Sequence, residues 1–485
     1  MLAKRHVSII GSGPSGFYTA YRLLRKSRIP LHVQIWEKLP VPFGLSRYGV
    51  APDHPEVKNC EETFESCAKM YIGGKEKSFE FIGGVEVGKD VALNQLIRAS
   101  DAVVFSYGCS GDKRLGIPGE SQTKGVFTSR EFVNWYNGYF DSALDDKFSS
   151  FPWEKVKRVG IIGNGNVALD IARVLLSNKI DSLWSGTDIS TVALDSLRQC
   201  PVEEVKLIGR RDFLHSKFTN KELREMWQLE EYGAKGFIDA RYFQPERYAG
   251  NDLDRAMKRR LEMCSEYLSP FDQRTKKNYK KVRPGNELNC TWELDYLKTP
   301  LKITPNGDGT IRSLTLCENV ITPENQLIPQ SQTVEYDMDL LITSLGYNGR
   351  PLNGFDSLEI GFDRDHIANR QGRVLQENGN TVIDKLYASG WIRHGPHGVI
   401  ASTMSDAFDV ADIVLEDLES QPVRKEPVPA GDLLALSRIP HTTWFDWERI
   451  NEKEIHEGTL RGKNRSKLLT LQDVDALLKQ APTAT

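Results

Sequence analysis

Val7-Ser8-Ile9-Ile10 running into Gly11-Ser12-Gly13-Pro14-Ser15-Gly16 decides the fold, and the chain repeats the pattern at Val159-Gly160-Ile161-Ile162 followed by Gly163-Asn164-Gly165-Asn166-Val167-Ala168. In each case an apolar, strand-like run meets a glycine-rich turn that opens a helical pattern. The first glycine of such a unit permits the tight turn, the second lets backbone approach a pyrophosphate, and the third packs helix against strand. The new helix then offers amide donors and a favourable dipole to the phosphates. Two such units imply two adenine dinucleotides held by one chain, with electrons passing from one to the other.

After the first turn, Phe17 to Lys26 reads as an amphipathic helix and Val33 to Trp36 as a second strand closed by Glu37. A carboxylate at that strand end can accept from both ribose hydroxyls of a dinucleotide. Gly11, Gly13, Pro14, Ser15, Gly16 and Glu37 are therefore the candidate residues of the first site. The second turn carries Ala168 in place of the third glycine, a small residue tolerated at the helix-packing position. Val167 to Ser177 is the expected helix and Val205 to Ile208 the next strand, which ends in Gly209-Arg210-Arg211 with no acid. Two guanidiniums there can hold a 2′-phosphate bidentately. The plainer reading is an exposed arginine pair at a strand end; the glycine-rich turn upstream favours NADP, with Asn164, Gly165, Asn166, Val167, Arg210 and Arg211 as candidates.

Apolar runs bounded by glycine alternate with helical patterns through the first hundred residues, which predicts a parallel, doubly wound sheet. Ala102 to Tyr107, ending at Gly108, reads as a later strand of that sheet. Tyr336 to Ser344 is apolar and runs into Leu345-Gly346-Tyr347, and Leu386 to Ser389 runs into Gly390-Trp391. The predicted fold is thus α/β, with two Rossmann-like domains, residues 109–345 being inserted into a domain made of 1–108 and 346–485.

Two further stretches are shaped loops. Pro40-Val41-Pro42-Phe43-Gly44-Leu45 through Pro52-Asp53-His54-Pro55 has too many prolines and glycines for a helix or central strand. It either closes over a cofactor ring or is an ordinary rigid crossover. Gly395-Pro396-His397-Gly398-Val399-Ile400 precedes a helical run from Ala401, whose N-terminus suits an anionic reduced flavin.

At 485 residues and 39% hydrophobic the chain can bury a large core. No apolar run approaches the roughly 18 to 20 residues of a membrane span, so any membrane contact is expected to be peripheral. The formal net charge of −3 says little about partners, and no nucleic-acid partner is expected. Seven scattered cysteines with no Cys-x-x-Cys argue against a zinc site, an iron–sulfur cluster or a redox disulfide, and fit a reducing compartment. No secretory signal is expected, because the first strand begins close to Met1; the basic start (Lys4, Arg5) is either the stub of a targeting peptide or a native start.

With these residues in view, the sequence closely resembles the adrenodoxin reductase family, the mitochondrial NADPH-dependent ferredoxin reductases, and in particular its fungal members. The resemblance spans nearly the whole chain and rests on Gly11 to Ala20, on Glu37 to Asn59 with VPFG and GVAPDHPEVKN, and on SREFVNWYNG at Ser129 to Gly138. It continues through GNGNVALD at Gly163 to Asp170, FTNKELRE at Phe218 to Glu225, and SGWIR through GVIAST. It implies FAD held by Gly11, Gly13, Pro14, Glu37, Leu45, Val87, Trp391 and Gly398, Val399 and Ile400, in the discontinuous domain. It also implies NADP held by Asn164 to Val167, Arg210, Arg211, Glu222 and Gly398. Trp391 is discriminating, since related disulfide reductases carry an aspartate after the corresponding glycine.

The implied activity is transfer of electrons from NADPH through FAD to an external [2Fe–2S] ferredoxin, in the mitochondrial matrix or at the inner membrane face. The implied roles are in iron–sulfur cluster assembly and in haem or sterol-type electron supply. The basic stretch from Arg255 to Arg283, with Lys258, Arg259 and Arg260, resembles the region that docks an acidic ferredoxin; the plainer reading is a solvated face. His54 and Asp170 match a histidine and an aspartate placed near the flavin in the family. Either they relay protons or position cofactor, or the histidine braces a loop and the aspartate complements its helix dipole. The competing functions are a flavin monooxygenase, a glutamate synthase small-subunit type lacking its cysteine-rich cluster domain, and a non-enzymatic NADPH-binding protein.

Overall fold

The computed structural model describes residues 4–142, 145–248, 252–420 and 440–480. The chain forms two compact units, Met1–Lys113 with Gly346–Thr485, and Arg114–Leu345.

The first unit is built on a seven-stranded sheet in the order 369–370, 373–375, 382–388, 102–105, 5–10, 31–37, 77–83. The five long strands run parallel, Val7 facing Val33 on one side and Ala102 on the other. Such strands are covered on both faces, which is why Val7, Ser8, Ile9 and Ile10, and likewise Val33, Gln34, Ile35 and Trp36, are buried in succession without alternation. The chain winds outward from strand 5–10 to 31–37 and 77–83, then returns to 102–105 on the other side. That reversal creates a crevice at the carboxyl end of strand 5–10, where Gly11 begins.

The second unit repeats the design in a six-stranded parallel sheet, ordered 126–128, 340–343, 158–162, 204–208, 291–295, 235–237. Strand Arg158–Ile162 lies between 340–343 and 204–208, so its own crevice opens at Gly163. Under this sheet, Trp135 of the SREFVNWYNG stretch stacks on Trp153 at 4.8 Å and on Phe148 at 4.9 Å. That signature is therefore a packing element, entered through a capping box between Thr128 and Glu131.

Three sequence expectations are amended. Helix Pro14–Lys26 starts at the proline, whose fixed φ and missing N–H suit a first turn. The proline-rich loop holds one helical turn, Leu45–Tyr48, between its prolines. The apolar run Tyr336 to Ser344 divides into two strands. Its first two residues end Leu327–Asp337, the edge of a three-stranded antiparallel sheet with 298–305 and 311–321, and Leu340–Thr343 joins the parallel sheet.

Candidate functional site

In the first unit, Gly11 sits at φ 104°, and a methyl there would meet Ser106 O and Tyr107 Cα at 2.6 Å. A methyl on Gly16 would run into the Gly11 carbonyl oxygen, while one on Gly13 would meet nothing of the protein. The turn is thus closed by its first and third glycines and left open at the second, the arrangement a pyrophosphate requires. Ser106 Oγ, buried beside the turn, has no hydrogen-bond partner.

Glu37 is buried and accepts from Ser12 N at 2.9 Å and Ser12 Oγ at 2.7 Å on one oxygen, and from Leu39 N at 3.0 Å on the other. A carboxylate has about four lone-pair sites, so one acceptor position remains for a ribose hydroxyl. These residues fit an adenine dinucleotide.

The proline-rich loop folds directly onto the turn. Phe43 N donates to Ser12 O at 3.0 Å, and Gly44, at φ 50°, approaches Gly13 so closely that a methyl on it would press on Gly13 Cα at 3.0 Å. Leu45 follows at once. Val87 is buried, next to Val85, whose N donates to Glu37 O at 2.9 Å. His54 is buried too; its N–H donates to Ala51 O and its carbonyl accepts from Val57 N, so its backbone shapes the turn into Pro55–Asn59.

The carboxyl end of strand 382–388 supplies the other wall. Ser15 Oγ and Ser389 Oγ are 2.7 Å apart, and Gly390, at φ 71°, packs on Ser15 where a side chain would collide. Asp406 accepts from Gly390 N at 2.6 Å and pairs with Arg393. Trp391 stacks on Tyr347 at 5.8 Å, and its carbonyl accepts from Cys109 Sγ at 3.4 Å. Burial, assisted by Asp365, pushes the Cys109 thiol up to about 12, so it is not a thiolate nucleophile. Helix Ile400–Ser420 begins immediately after Gly398 and Val399, the latter 55% exposed.

In the second unit, a methyl on Gly163 would collide with Ser344 O, and Gly165 again faces open space. Ala168 is fully buried at the start of helix Asn166–Leu176. Asn164 Oδ1 is buried with no hydrogen-bond partner, an orphaned acceptor at a phosphate-type turn that suits a bound donor. Arg210 is exposed; Arg211 is partly buried, its Nη1 donating to Asn325 Oδ1 at 2.9 Å. Their backbone is fixed from behind, Asn319 Nδ2 donating to Arg210 O at 2.9 Å and Leu297 N to Arg211 O at 3.3 Å. Glu222 accepts from Thr219 Oγ1 at the start of helix Asn220–Gln228. Asp170 lies one turn into helix Asn166–Leu176, 3.0 Å from the buried Arg173, which also reaches Glu225. The donor set fits a dinucleotide with a phosphorylated ribose.

One expectation is corrected. Arg255, Lys258 and Arg259 are exposed on helix Arg255–Leu268, but Arg260 is buried and cannot take part in a surface docking patch. Sequence reading also passed over residues 440–480. The packing of Arg47 on Glu454, at 2.6 and 2.8 Å, ties the proline-rich loop to helix Trp444–Leu460. Nothing in the sequence pairs the two residues, which lie 407 positions apart.

The glycine geometry separates two kinds of failure. Gly13→Ala is expected to leave thermal stability near wild type while lowering bound dinucleotide, because its methyl enters only the ligand's space. Gly16→Ala is expected to lower both. Bound dinucleotide per protein and a melting curve check the pair; equal stability losses would show that the second glycine also serves packing.

Residues 9–82 match the model of the NAD(P)-binding Rossmann-like domain family. The chain is 59% identical to the probable NADPH:adrenodoxin oxidoreductase, mitochondrial, of Saccharomyces cerevisiae, over 97% of this chain and 96% of that protein. It is 36% identical to the NADPH:adrenodoxin oxidoreductase, mitochondrial, of Bos taurus, over 97% of this chain and 92% of that one. Among solved structures, Mycobacterium tuberculosis FprA in complex with NADPH aligns at a TM-score of 0.82 and 30% identity, covering 98% of this chain and 99% of that one.

Proposed function

The chain belongs to the NADPH:adrenodoxin oxidoreductase family, and from this premise we propose how its own residues divide the work of passing electrons from NADPH through FAD to a [2Fe–2S] ferredoxin. The observation that carries the division is the pair of open second glycines, Gly13 and Gly165, each at a separate sheet crevice.

The Met1–Lys113 and Gly346–Thr485 unit holds FAD, and Arg114–Leu345 holds NADPH. FAD, when bound, supplies the passage from two-electron to one-electron chemistry. The chain does the rest. Gly11, Gly13, Pro14, Ser15 and Gly16 cradle the FAD pyrophosphate and Glu37 takes a ribose hydroxyl. Leu45, Val87, Trp391 and the Gly398–Val399–Ile400 entry to helix Ile400–Ser420 enclose the flavin. Asn164, Gly165, Asn166 and Val167 receive the NADPH pyrophosphate, Arg210 and Arg211 its 2′-phosphate, and Glu222 its remaining polar edge. For His54 and Asp170, the backbone turn at His54 and the ion pair from Asp170 to Arg173 favour bracing of loop and helix over proton relay or cofactor positioning.

The partner is a ferredoxin, and the exposed cations Arg255, Lys258 and Arg259 support a docking face for an acidic one. The Saccharomyces cerevisiae and Bos taurus relatives are named mitochondrial. The matrix, with peripheral contact at the inner membrane, is the compartment we favour; no helix among the described residues is long and apolar enough to cross a membrane. Iron–sulfur cluster assembly and haem or sterol-type electron supply are the pathways this activity would serve.

Anaerobic mixing of the yellow protein with NADPH, followed by addition of a [2Fe–2S] ferredoxin and cytochrome c, tests the reading. Flavin bleaching with ferredoxin-dependent cytochrome reduction is expected. Bleaching without ferredoxin dependence would favour an oxygen-using flavoenzyme, and absence of bleaching a non-enzymatic nucleotide-binding protein.

A further inference from the structure

Arg260 is 7% exposed, yet its guanidinium donates to three neutral acceptors. Nε donates to Asn220 Oδ1 at 3.1 Å, Nη1 to Ser216 O at 3.1 Å and Nη2 to Phe218 O at 2.6 Å. The guanidinium carbon also lies 4.9 Å from the Phe218 ring centroid. Burial works against this charge and lowers its pKa. Desolvating a cation without a bonded carboxylate is costly. What it gains is a fixed loop, because the rigid fork spans three acceptors of segment 216–220 at once.

That loop is in turn bonded to the second glycine-rich turn. Lys217 N donates to Asn164 O at 2.8 Å, and Thr219 N donates to Asn166 Oδ1 at 2.8 Å. Asn164 carries the orphaned buried oxygen, and Asn166 begins helix Asn166–Leu176, whose N-terminal amides would receive the pyrophosphate on the proposed assignment. Asn220 ties the loop back to the same long helix, its Nδ2 donating to Ala256 O at 2.8 Å.

We infer that Arg260 is a positioning residue for NADP(H): it holds segment 216–220 against Asn164 and Asn166 and thereby sets the pyrophosphate cradle. The inference rests on the assignment of that turn to NADPH. It has a signature that a direct phosphate contact lacks. The pyrophosphate is common to NADPH and NADH, so loss of Arg260 must weaken both by the same factor, whereas Arg210 and Arg211 act on the 2′-phosphate alone.

The test uses the FAD-loaded full chain with Arg260→Met, Arg260→Lys and Asn220→Ala, and measures Kd and KM for NADPH and for NADH. For Arg260→Met, Kd for both nucleotides is expected to rise roughly tenfold, as displacement of a preorganised binding group costs. KM should rise by more than kcat falls, at unchanged flavin content. Arg260→Lys keeps the charge but not the fork and should recover part of the loss. Asn220→Ala leaves the guanidinium in place and removes one acceptor, so a smaller loss in the same direction is expected, and it decides the question if Arg260→Met does not fold. Unchanged affinities with lowered thermal stability would overturn the inference, as would a loss confined to NADPH. Arg210→Ala/Arg211→Ala serves as the reference: if it fails to discriminate NADPH from NADH, the NADP assignment itself fails, independently of Arg260.

Discussion

Replacement of Glu454 by alanine is expected to cost about 3 to 5 kcal/mol of stability, the range for breaking a buried ion pair by removing one partner. Glu454 is fully buried and accepts both bonds from Arg47 Nη2, one from Arg465 Nη1 at 2.9 Å and one from Leu468 N at 2.9 Å. Lys467 Nζ donates to Arg47 O at 3.1 Å, so the segment after helix Trp444–Leu460 grips the proline-rich loop from a second point. Alanine would strand the buried Arg47 charge two residues after Leu45, and the loop that folds over the dinucleotide turn would lose its anchor. Flavin release is therefore expected to accompany unfolding at a lower temperature, which a melt followed by flavin fluorescence reads directly. Flavin retention at wild-type temperature in Glu454→Ala would show that the loop is held by Phe43 and Gly44 alone.

The same pair predicts a pH dependence. Burial pushes the Glu454 carboxyl up, but the Arg47 and Arg465 guanidiniums and the bonds from Arg47 and Leu468 hold it below the ordinary carboxylate range. A group whose folded pKa is depressed contributes stability that is present above its unfolded pKa of about 4.3 and lost as pH falls through the folded value. The stability advantage of wild type over Glu454→Gln should thus be flat at neutral pH and shrink only on strong acidification.

The parts of this molecule legible in its sequence are those where backbone geometry restricts residue type. Gly11, Gly16 and Gly163 are required because a methyl at each would strike a carbonyl oxygen, and a turn under that constraint announces itself wherever it occurs. Glu37 was legible because it ends a strand at a fixed distance from such a turn. Arg260 was misplaced because a run of cations does not say which of them points inward. Its helical neighbours did carry the information: Met263 and Cys264, three and four residues on, are buried, so Arg260 shares their apolar face while Lys258 and Arg259 do not. The anchoring of Arg47 by Glu454 was not readable, since the two residues are separated by most of the chain and each looks like an ordinary surface charge. The antiparallel sheet 298–337 escaped because its edge strand Leu327–Asp337 is largely exposed and polar, with little apolar alternation to mark it.

Replacement of both Arg210 and Arg211 by alanine is expected to raise Kd for NADPH by about tenfold to a few hundredfold and to leave NADH little changed. Hydrogen bonds to a charged group contribute about 1.5 to 3 kcal/mol each, or one to two decades of affinity. The two side chains should not contribute equally. Arg211 already donates to Asn325 Oδ1, in a hairpin turn where Asn325 adopts φ 63°, so its guanidinium is partly preorganised and has less freedom to lose on binding. Arg210 is exposed, and its charge is better screened by solvent and salt. Arg211→Ala is thus expected to be the more damaging single change, and Asn325→Ala to reproduce a fraction of it without altering charge. Because Asn319 and Leu297 bond only to the backbone of the pair, the strand end itself should survive either substitution. Titration of each variant with NADPH and with NADH at low and moderate ionic strength checks the assignment. Equal losses for the two nucleotides would mean that these arginines act on the pyrophosphate instead, and a loss at Arg210 that exceeds the one at Arg211 would overturn the preorganisation assigned to Asn325.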